Sequence, residues 1–444
     1  MLLRFVAENI MSFKDAVEFN TFPSSKSHSH CWHKVDCGHA TILRMSAIYG
    51  ANGAGKSNLL KCISLLKSMV IYDKLGDVGM PEVLNFCLDD ECASKPSELA
   101  IEFFAAGHVF YYHIVFSRND VFEEVLSLSN KSSDEMIFSR KEGRIEINGK
   151  FMSIEGDGST TDVFKNAMSR VIRQDMLAFS FFGKYYPKEL PLVKEAFQWV
   201  DRLQVVMPEM QTGDLPHILD TLGEFKALVN TVIPDLMTGI SRLEIRKEAV
   251  NEEDLASDTP LATAVKAAKA LPGYPVALKT SRYGLANVVV ENDTAYIKTL
   301  VTIHVDSNSN EVEMPLGMES DGTQRLTEYM PILYSVFKAG NVFIVDEIER
   351  SIHPIMIKTL MRKLSESKEA KGQIIFTTHE SCLLDQSIFR PDEIWLTQKD
   401  VDQSTQMYPL SDYNIHKTAN IENGYLNGRY GGIPFLSNLE DLRW

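Results

Sequence analysis

Residues 50–57 read Gly50-Ala51-Asn52-Gly53-Ala54-Gly55-Lys56-Ser57. The run fits the phosphate-loop pattern of Gly, four residues, then Gly-Lys-Ser, and each residue type has a chemical reason. Gly50, Gly53 and Gly55 let the backbone wrap closely, so that successive N–H groups point at phosphate oxygens. Lys56 brings positive charge to the β- and γ-phosphates, and Ser57 offers a hydroxyl to Mg²⁺. The flanks agree. Ala47-Ile48-Tyr49 closes an apolar run that reads as a buried strand, and Leu59, Ile63, Leu66 and Val70 recur at helical spacing. Strand, loop, helix is the setting such a loop requires, and the helix N-terminus adds a favourable dipole for phosphate. A glycine-rich turn that matched by chance would lack these flanks.

A second site element lies far along the chain. Val342-Phe343-Ile344-Val345 is a fully apolar strand run that ends in Asp346-Glu347. There Asp346 would hold Mg²⁺ through water and Glu347 would polarise an attacking water as general base. An acidic surface turn is the plain alternative, and the phosphate loop in the same chain counts against it. Gln373–Phe376 reads as another buried strand, ending at Thr377-Thr378-His379. Before the acidic strand, Ser320-Asp321-Gly322-Thr323-Gln324-Arg325 opens a helix with Leu326, Met330, Leu333 and Phe337 on one face, and Pro331 is expected to kink it.

The 444 residues are 44% hydrophobic, enough for a large core in two or three lobes. The formal net charge of −15 and the absence of a sustained basic run disfavour extended nucleic-acid binding and leave a local patch open. The most basic stretch, Arg242–Lys247, is interrupted by Glu244 and reads as a solvated face. No apolar run approaches the ~20 residues that cross a bilayer. Met1–Asn9 reads as a strand rather than a leader, and the six scattered cysteines suit a reducing cytoplasm. Ser24–His39 holds His28, His30, Cys31, His33, Cys37 and His39. It is the one candidate metal cluster, but the spacing matches no familiar zinc site, and a polar loop between strands is the preferred reading.

The remaining chain divides by pattern. Leu2–Ala7 and Ala16–Phe22 read as strands, and Leu99–Phe104, Val109–Phe116, Val121–Leu128 and Met136–Ile147 as an antiparallel meander. Glu189–Ala270 is mostly helical apart from a strand at Ile240–Arg246; Val288–Val305 returns to strand. Asp400-Val401-Asp402 reads as a turn rather than a metal-binding pair. The expected organisation is residues 1–180 (phosphate loop and β lobe), 181–284 (helical insertion), 285–422 (signature, acidic strand and His379) and 423–444 (tail).

The order of phosphate loop, Ser-x-Gly-x-Gln, apolar strand with Asp-Glu, and strand with His resembles ABC-type ATPases. The branch it is most similar to is the SMC/RecF/OLD-like one. Asn9, Phe13, Asn52 and Glu319–Arg325 carry that likeness. The runs Asp346–Pro354 and Tyr425–Pro434 resemble stand-alone ATPases of bacterial abortive-infection and anti-phage loci, among them those of PARIS-type systems. The resemblance implies an α/β fold: an ABC-type ATPase head with a mixed β-sheet core around the P-loop, an antiparallel β lobe and a mostly helical insertion.

It also implies roles. ATP and Mg²⁺ would be the cofactors, held by Gly50, Asn52, Gly53, Ala54, Gly55, Lys56, Ser57 and Asn58 of one copy and Ser320, Gly322 and Gln324 of a second in a head-to-tail sandwich. Lys56, Glu347 and His379 would be catalytic, with His379 the γ-phosphate sensor. Ser57, Asp346 and a Q-loop glutamine would face the metal. Gln174, in Ile-Arg-Gln-Asp, is the candidate for that glutamine, and a surface glutamine beside a helix is the equal alternative. His353 stands where relatives usually carry Asp. The implied function is a cytoplasmic sensor and scaffold that controls a separately encoded effector such as a TOPRIM nuclease, with a phage-encoded protein as trigger. A DNA-repair ATPase of SMC/RecF type is the alternative. A self-contained nuclease is disfavoured, because the stretch after His379 is short for a TOPRIM domain.

Overall fold

The computed structural model describes residues 1–153, 158–208, 213–236, 239–280, 284–416 and 418–433. The chain separates into two compact units, one of residues 1–208, 340–348 and 358–444, the other of 209–339 and 349–357.

The first unit is built on a six-stranded sheet in the order Gln204–Val206, Val342–Val345, Gln373–Thr377, Met45–Gly50, Ile394–Lys399, Thr405–Pro409. All neighbours are parallel except the last pair. Strands covered on both faces need continuous apolar runs, and Met45–Gly50, Val342–Val345 and Gln373–Thr377 are buried at every position. Because these three run the same way, the segments that follow them emerge at one edge of the sheet. Those segments are the phosphate loop, Asp346-Glu347 and Thr378-His379.

A second, antiparallel sheet has the order Arg144–Ile147, Glu135–Lys141, Val121–Leu128, His108–Phe116, Ser97–Ala105, Leu2–Glu8, Val17–Asn20. The expected last meander strand is two strands, because Glu142 and Gly143 both take positive φ (49° and 78°) and turn the chain. Helix Lys56–Ile71 buries Leu59, Ile63, Leu66 and Val70 as the periodicity predicts. One core joins that helix to Ile48, Ile344 and Ile375 of the parallel sheet and to Phe5, Ile101, Phe110 and Tyr112 of the antiparallel one. Helix Pro191–Arg202 belongs to the same core through Val193, Ala196 and Val200.

The second unit differs from the helical insertion expected at 181–284. It contains an antiparallel sheet in the order Arg242–Ala249, Thr294–Val305, Gly284–Glu291, Val276–Thr280, with Glu311–Pro315 also on Thr294–Val305. Two strands replace the single run read at 288–305, since Asn292 and Asp293 both have positive φ (48° and 63°), the requirement of a tight hairpin turn. Helix Thr259–Ala270 starts at Asp258, whose carboxylate accepts the Leu261 N–H at 2.9 Å. It lays Leu261, Ala264, Val265 and Ala268 on Leu278, Ala286, Val288 and Ile297 of the sheet. Ala-rich helical periodicity in this region is genuine; the short strands between the helices acquire their identity only by pairing.

Candidate functional site

The phosphate loop is fixed by a wall from the far end of the chain. Thr397 Oγ1 donates to Tyr49 O at 3.0 Å, and Thr405 Oγ1 donates to Ala54 O at 3.0 Å and lies 2.8 Å from Ser12 Oγ, whose own hydroxyl can donate to it. Gly55 takes φ 103°, and a Cβ there would lie 2.2 Å from Thr405 Oγ1, so only glycine serves on both counts. Asn58 stands among the expected nucleotide contacts, but its amide donates to Ser12 Oγ at 2.8 Å and so braces the loop from outside. Asn52 and Gly53 are exposed at the loop tip, while Ala54 is buried. Nothing local in the sequence marked Ser12, Thr397 or Thr405.

Lys56 is 5% exposed and points back into the loop: Nζ donates to Gly50 O at 2.7 Å and Ala51 O at 3.1 Å, and lies 3.5 Å from His379 Nδ1. Ser57 Oγ donates to Asp346 Oδ1 at 3.1 Å, and Thr377 Oγ1 donates to the same oxygen at 2.5 Å. Asp346 is itself buried, so its charge needs these partners. Thr377 Oγ1 also accepts the Glu347 N–H at 2.8 Å, and Thr377 O accepts the Ile348 N–H at 3.1 Å. Glu347 sits half-buried at φ 48°, a left-handed conformation that costs a non-glycine residue roughly 1–2 kcal/mol and is held here by that anchor. The sequence places Lys56, Ser57, Asp346, Glu347 and His379 far apart; the parallel strands bring them to one edge.

The donor set suits Mg²⁺. Ser57 Oγ and Asp346 Oδ1, 3.1 Å apart, offer a hydroxyl and a buried carboxylate, the hard oxygen donors that this cation takes directly or through water. Gln174 does not join them, which corrects its expected place at the metal. Its carbonyl accepts the Val121 N–H at 2.8 Å, and its neighbour Asp175 accepts the Leu75 N–H at 2.8 Å. That is beyond the far end of the 16-residue helix Lys56–Ile71, a helix length of about 24 Å from Ser57. The exposed side chain belongs to a surface turn.

In the second unit, Ser320 caps helix Asp321–Tyr334: its Oγ accepts the Thr323 N–H at 3.2 Å. Gln324 Nε2 donates to Glu319 O at 2.8 Å, and Glu319 Oε1 accepts from Thr302 Oγ1 at 2.6 Å. Gly322 has a packing reason the sequence did not reveal, since a Cβ would lie 2.6 Å from Ser351 O. Exposed His353 accepts the Ile355 N–H on Nδ1 at 3.2 Å, at the start of helix Pro354–Glu366.

The histidine-rich segment disperses. His33 is fully buried against Glu393, Nδ1 to Oε1 2.8 Å, and Cys37 is buried in a small apolar cluster. Among the described residues no three His, Cys, Asp or Glu side chains gather as a metal site. Asp400 and Asp402 belong to the turn between two strands, where Asp402 Oδ1 accepts the Ser404 N–H at 3.0 Å and Lys14 Nζ lies 3.2 Å from Oδ2. Those hydrogen bonds hold the Asp402 carboxyl down at about 2. In the tail segment, Glu422 accepts from Ser381 Oγ at 2.8 Å and Tyr425 packs edgewise on Tyr49 at 5.8 Å. Residues 418–433 are thus fastened beside the loop that follows His379, and 434–444 lie outside the described residues.

Residues 45–180 and 207–385 match the family model described as "AAA domain, putative AbiEii toxin, Type IV TA system". The chain belongs to this family. The AAA-domain match takes in the phosphate loop, Asp346, Glu347 and His379, and identifies an ATPase domain. No curated protein matches the sequence. Among solved structures the chain is similar to the SMC head domain from Thermotoga maritima, at 12% identity and TM-score 0.37 over 92% of this chain and 98% of that one. It is also similar to an SMC head from Pyrococcus furiosus with an extended coiled coil, bound to the C-terminal domain of ScpA, at 13% identity and TM-score 0.37 over 93% and 97%. Among the described residues no helix is long and apolar enough to cross a membrane.

Proposed function

We propose that this chain binds Mg²⁺·ATP at Lys56, Ser57 and Asp346 and hydrolyses it with Glu347 as general base. We further propose that the ATP state governs association of two copies and, through it, a separately encoded effector of a bacterial anti-phage system. The observation that carries the chemistry is the meeting of Ser57, Thr377 and Asp346 on one oxygen, with Lys56 and His379 3.5 Å apart at the same sheet edge.

Each residue then has a task. Lys56 exchanges the carbonyls of Gly50 and Ala51 for β- and γ-phosphate oxygens. Ser57 directly and Asp346 through water would hold Mg²⁺, which would supply neutralising charge to those phosphates. Glu347 takes the proton of the attacking water; the water oxygen bonds to the γ-phosphorus, the bond to the β–γ bridging oxygen breaks, and ADP and phosphate leave. His379 stands at the γ end as sensor. Ser320 and Gly322, at a helix N-terminus, suit the γ-phosphate of a second copy.

The family description, with its toxin and toxin–antitoxin terms, supports a two-component defence role. The run Asp346–Pro354 and the tail Tyr425–Pro434 favour the ATPase subunit of PARIS-type systems. The effector would be a TOPRIM nuclease and the trigger a phage protein. The decisive test has two arms. Purified chain should hydrolyse ATP and lose ATP binding as Lys56→Ala; normal turnover in the folded variant removes the site assignment. The chain alone should cut neither DNA nor RNA; metal-dependent cleavage lost in Asp400→Ala with Asp402→Ala refutes the separate effector.

A further inference from the structure

A cavity of ≈ 530 Å³ opens in the first unit between the loop carrying Lys26, Ser27 and His28 and the segment carrying Tyr413, Ile415 and His416. Its lining shares no residue with the phosphate loop, Asp346, Glu347 or His379. The volume falls in the range of small-ligand sites.

The floor is built in advance. Arg390 is fully buried and donates through Nη2 to Ser27 O at 3.1 Å and through Nη1 to Ser29 O. Asp392 fixes the same guanidinium, Nε to Oδ1 2.9 Å and Nη2 to Oδ2 2.7 Å, and accepts the Ser24 N–H at 2.7 Å. The opposite wall is held by Gln386, whose Nε2 donates to His416 O at 3.1 Å and Ala419 O at 2.8 Å. A ligand therefore meets two tied loops and need not order them, which lowers the entropic cost of binding.

The donor pattern states the charge of the ligand. Among the described residues no carboxylate lines the cavity, although the chain carries a net −15. Lys26 makes no ion pair among the described residues. Ser27 is 8% exposed, and its Oγ, itself shielded from solvent, has no hydrogen-bond partner among the described residues. His416 Nδ1 lies 2.8 Å from Thr418 Oγ1 and 3.3 Å from the Thr418 N, contacts that orient the ring. Tyr413 is fixed by its hydroxyl, which donates to Tyr430 O at 3.1 Å, and with Ile415 adds an aromatic and aliphatic surface.

We propose that this cavity binds a small phosphate-bearing molecule of mononucleotide size, with Lys26 and His416 on the phosphate and Tyr413 and Ile415 against the organic part. The site is separate from the ATP site, and the test keeps the two apart. The full chain carrying Lys56→Ala is titrated calorimetrically with AMP, inorganic phosphate and adenosine. The same titration is run on Glu347→Gln saturated with Mg²⁺·ATP, so that failure of one background to fold does not decide the matter.

AMP should bind stoichiometrically in both backgrounds, and adenosine at least about tenfold more weakly, the scale of one charge-assisted hydrogen bond. Adding Lys26→Glu with His416→Ala should weaken AMP about a hundredfold or more, as the loss of two such contacts implies. The same pair of substitutions in an otherwise unaltered chain should leave Mg²⁺·ATP binding unchanged. Phosphate binding as tightly as AMP would support the anion site and assign it to the free ion. Adenosine equal to AMP, AMP binding that survives the two substitutions, or no binding of AMP or phosphate overturns the proposal.

Discussion

Thr377→Val removes one hydroxyl and keeps the shape of the side chain. Thr377 is fully buried, and that hydroxyl makes two contacts at the site, 2.5 Å to Asp346 Oδ1 and 2.8 Å from the Glu347 N–H. A hydrogen bond to a charged group is worth about 1.5–3 kcal/mol, and a buried donor left without a partner costs about 1–3 kcal/mol. Together these put the local destabilisation at about 2.5–6 kcal/mol, an upper range because water reaches half-buried Glu347. Global folding should be weakened by less, since Ile48, Ile344 and Ile375 hold the sheet independently.

The larger effect falls on chemistry. Without its anchor, Glu347 is free to leave the left-handed conformation at φ 48°. A positioned general base contributes about 10²–10⁴ in rate, so partial loss of position should lower kcat by about 10–10². Lys56 keeps its place in the loop through the carbonyls of Gly50 and Ala51, so ATP affinity should change by less than about threefold, under 1 kcal/mol. The assay is steady-state hydrolysis with direct measurement of nucleotide affinity, on protein whose folding is checked by circular dichroism. Thr377→Ser keeps the hydroxyl and should recover most of kcat. An unchanged kcat in folded Thr377→Val, or a serine variant as slow as the valine one, refutes the positioning role.

Other outcomes follow from the same geometry. Glu347→Gln should bind ATP and slow hydrolysis by roughly 10² or more, trapping the ATP-bound pair of copies; turnover at the parent rate would remove Glu347 as base. Ser320→Arg should leave nucleotide binding intact and block ATP-dependent association by placing bulk and charge at the helix N-terminus; light scattering that still shows association with ATP argues against a shared site. Elemental analysis of untagged protein should find no stoichiometric metal in Ser24–His39, and one zinc per chain lost on Cys31→Ser with Cys37→Ser would overturn that expectation.

What the sequence determined alone was whatever one contiguous segment must do with its own backbone. The phosphate loop was legible because its glycines, Lys56 and Ser57 have to follow one another for N–H groups, charge and hydroxyl to face a single phosphate. Helix Lys56–Ile71 and strand Val342–Val345 were legible because burial imposes a period or a continuous apolar run. Tertiary structure decided everything that depends on which segment lies beside which. Thr377 reads as an ordinary strand-end threonine until parallel pairing of Val345 with Phe376 sets it against Asp346. Ser12, Thr397 and Thr405 become the wall of the loop only through pairing across more than three hundred residues. Gln174 carried a suggestive local sequence, but backbone hydrogen bonds to Val121 and, at Asp175, to Leu75 hold its turn at the wrong end of the helix. Local sequence specifies dihedral angles and faces; register between distant strands specifies neighbours, and a slip of one residue would reverse every face.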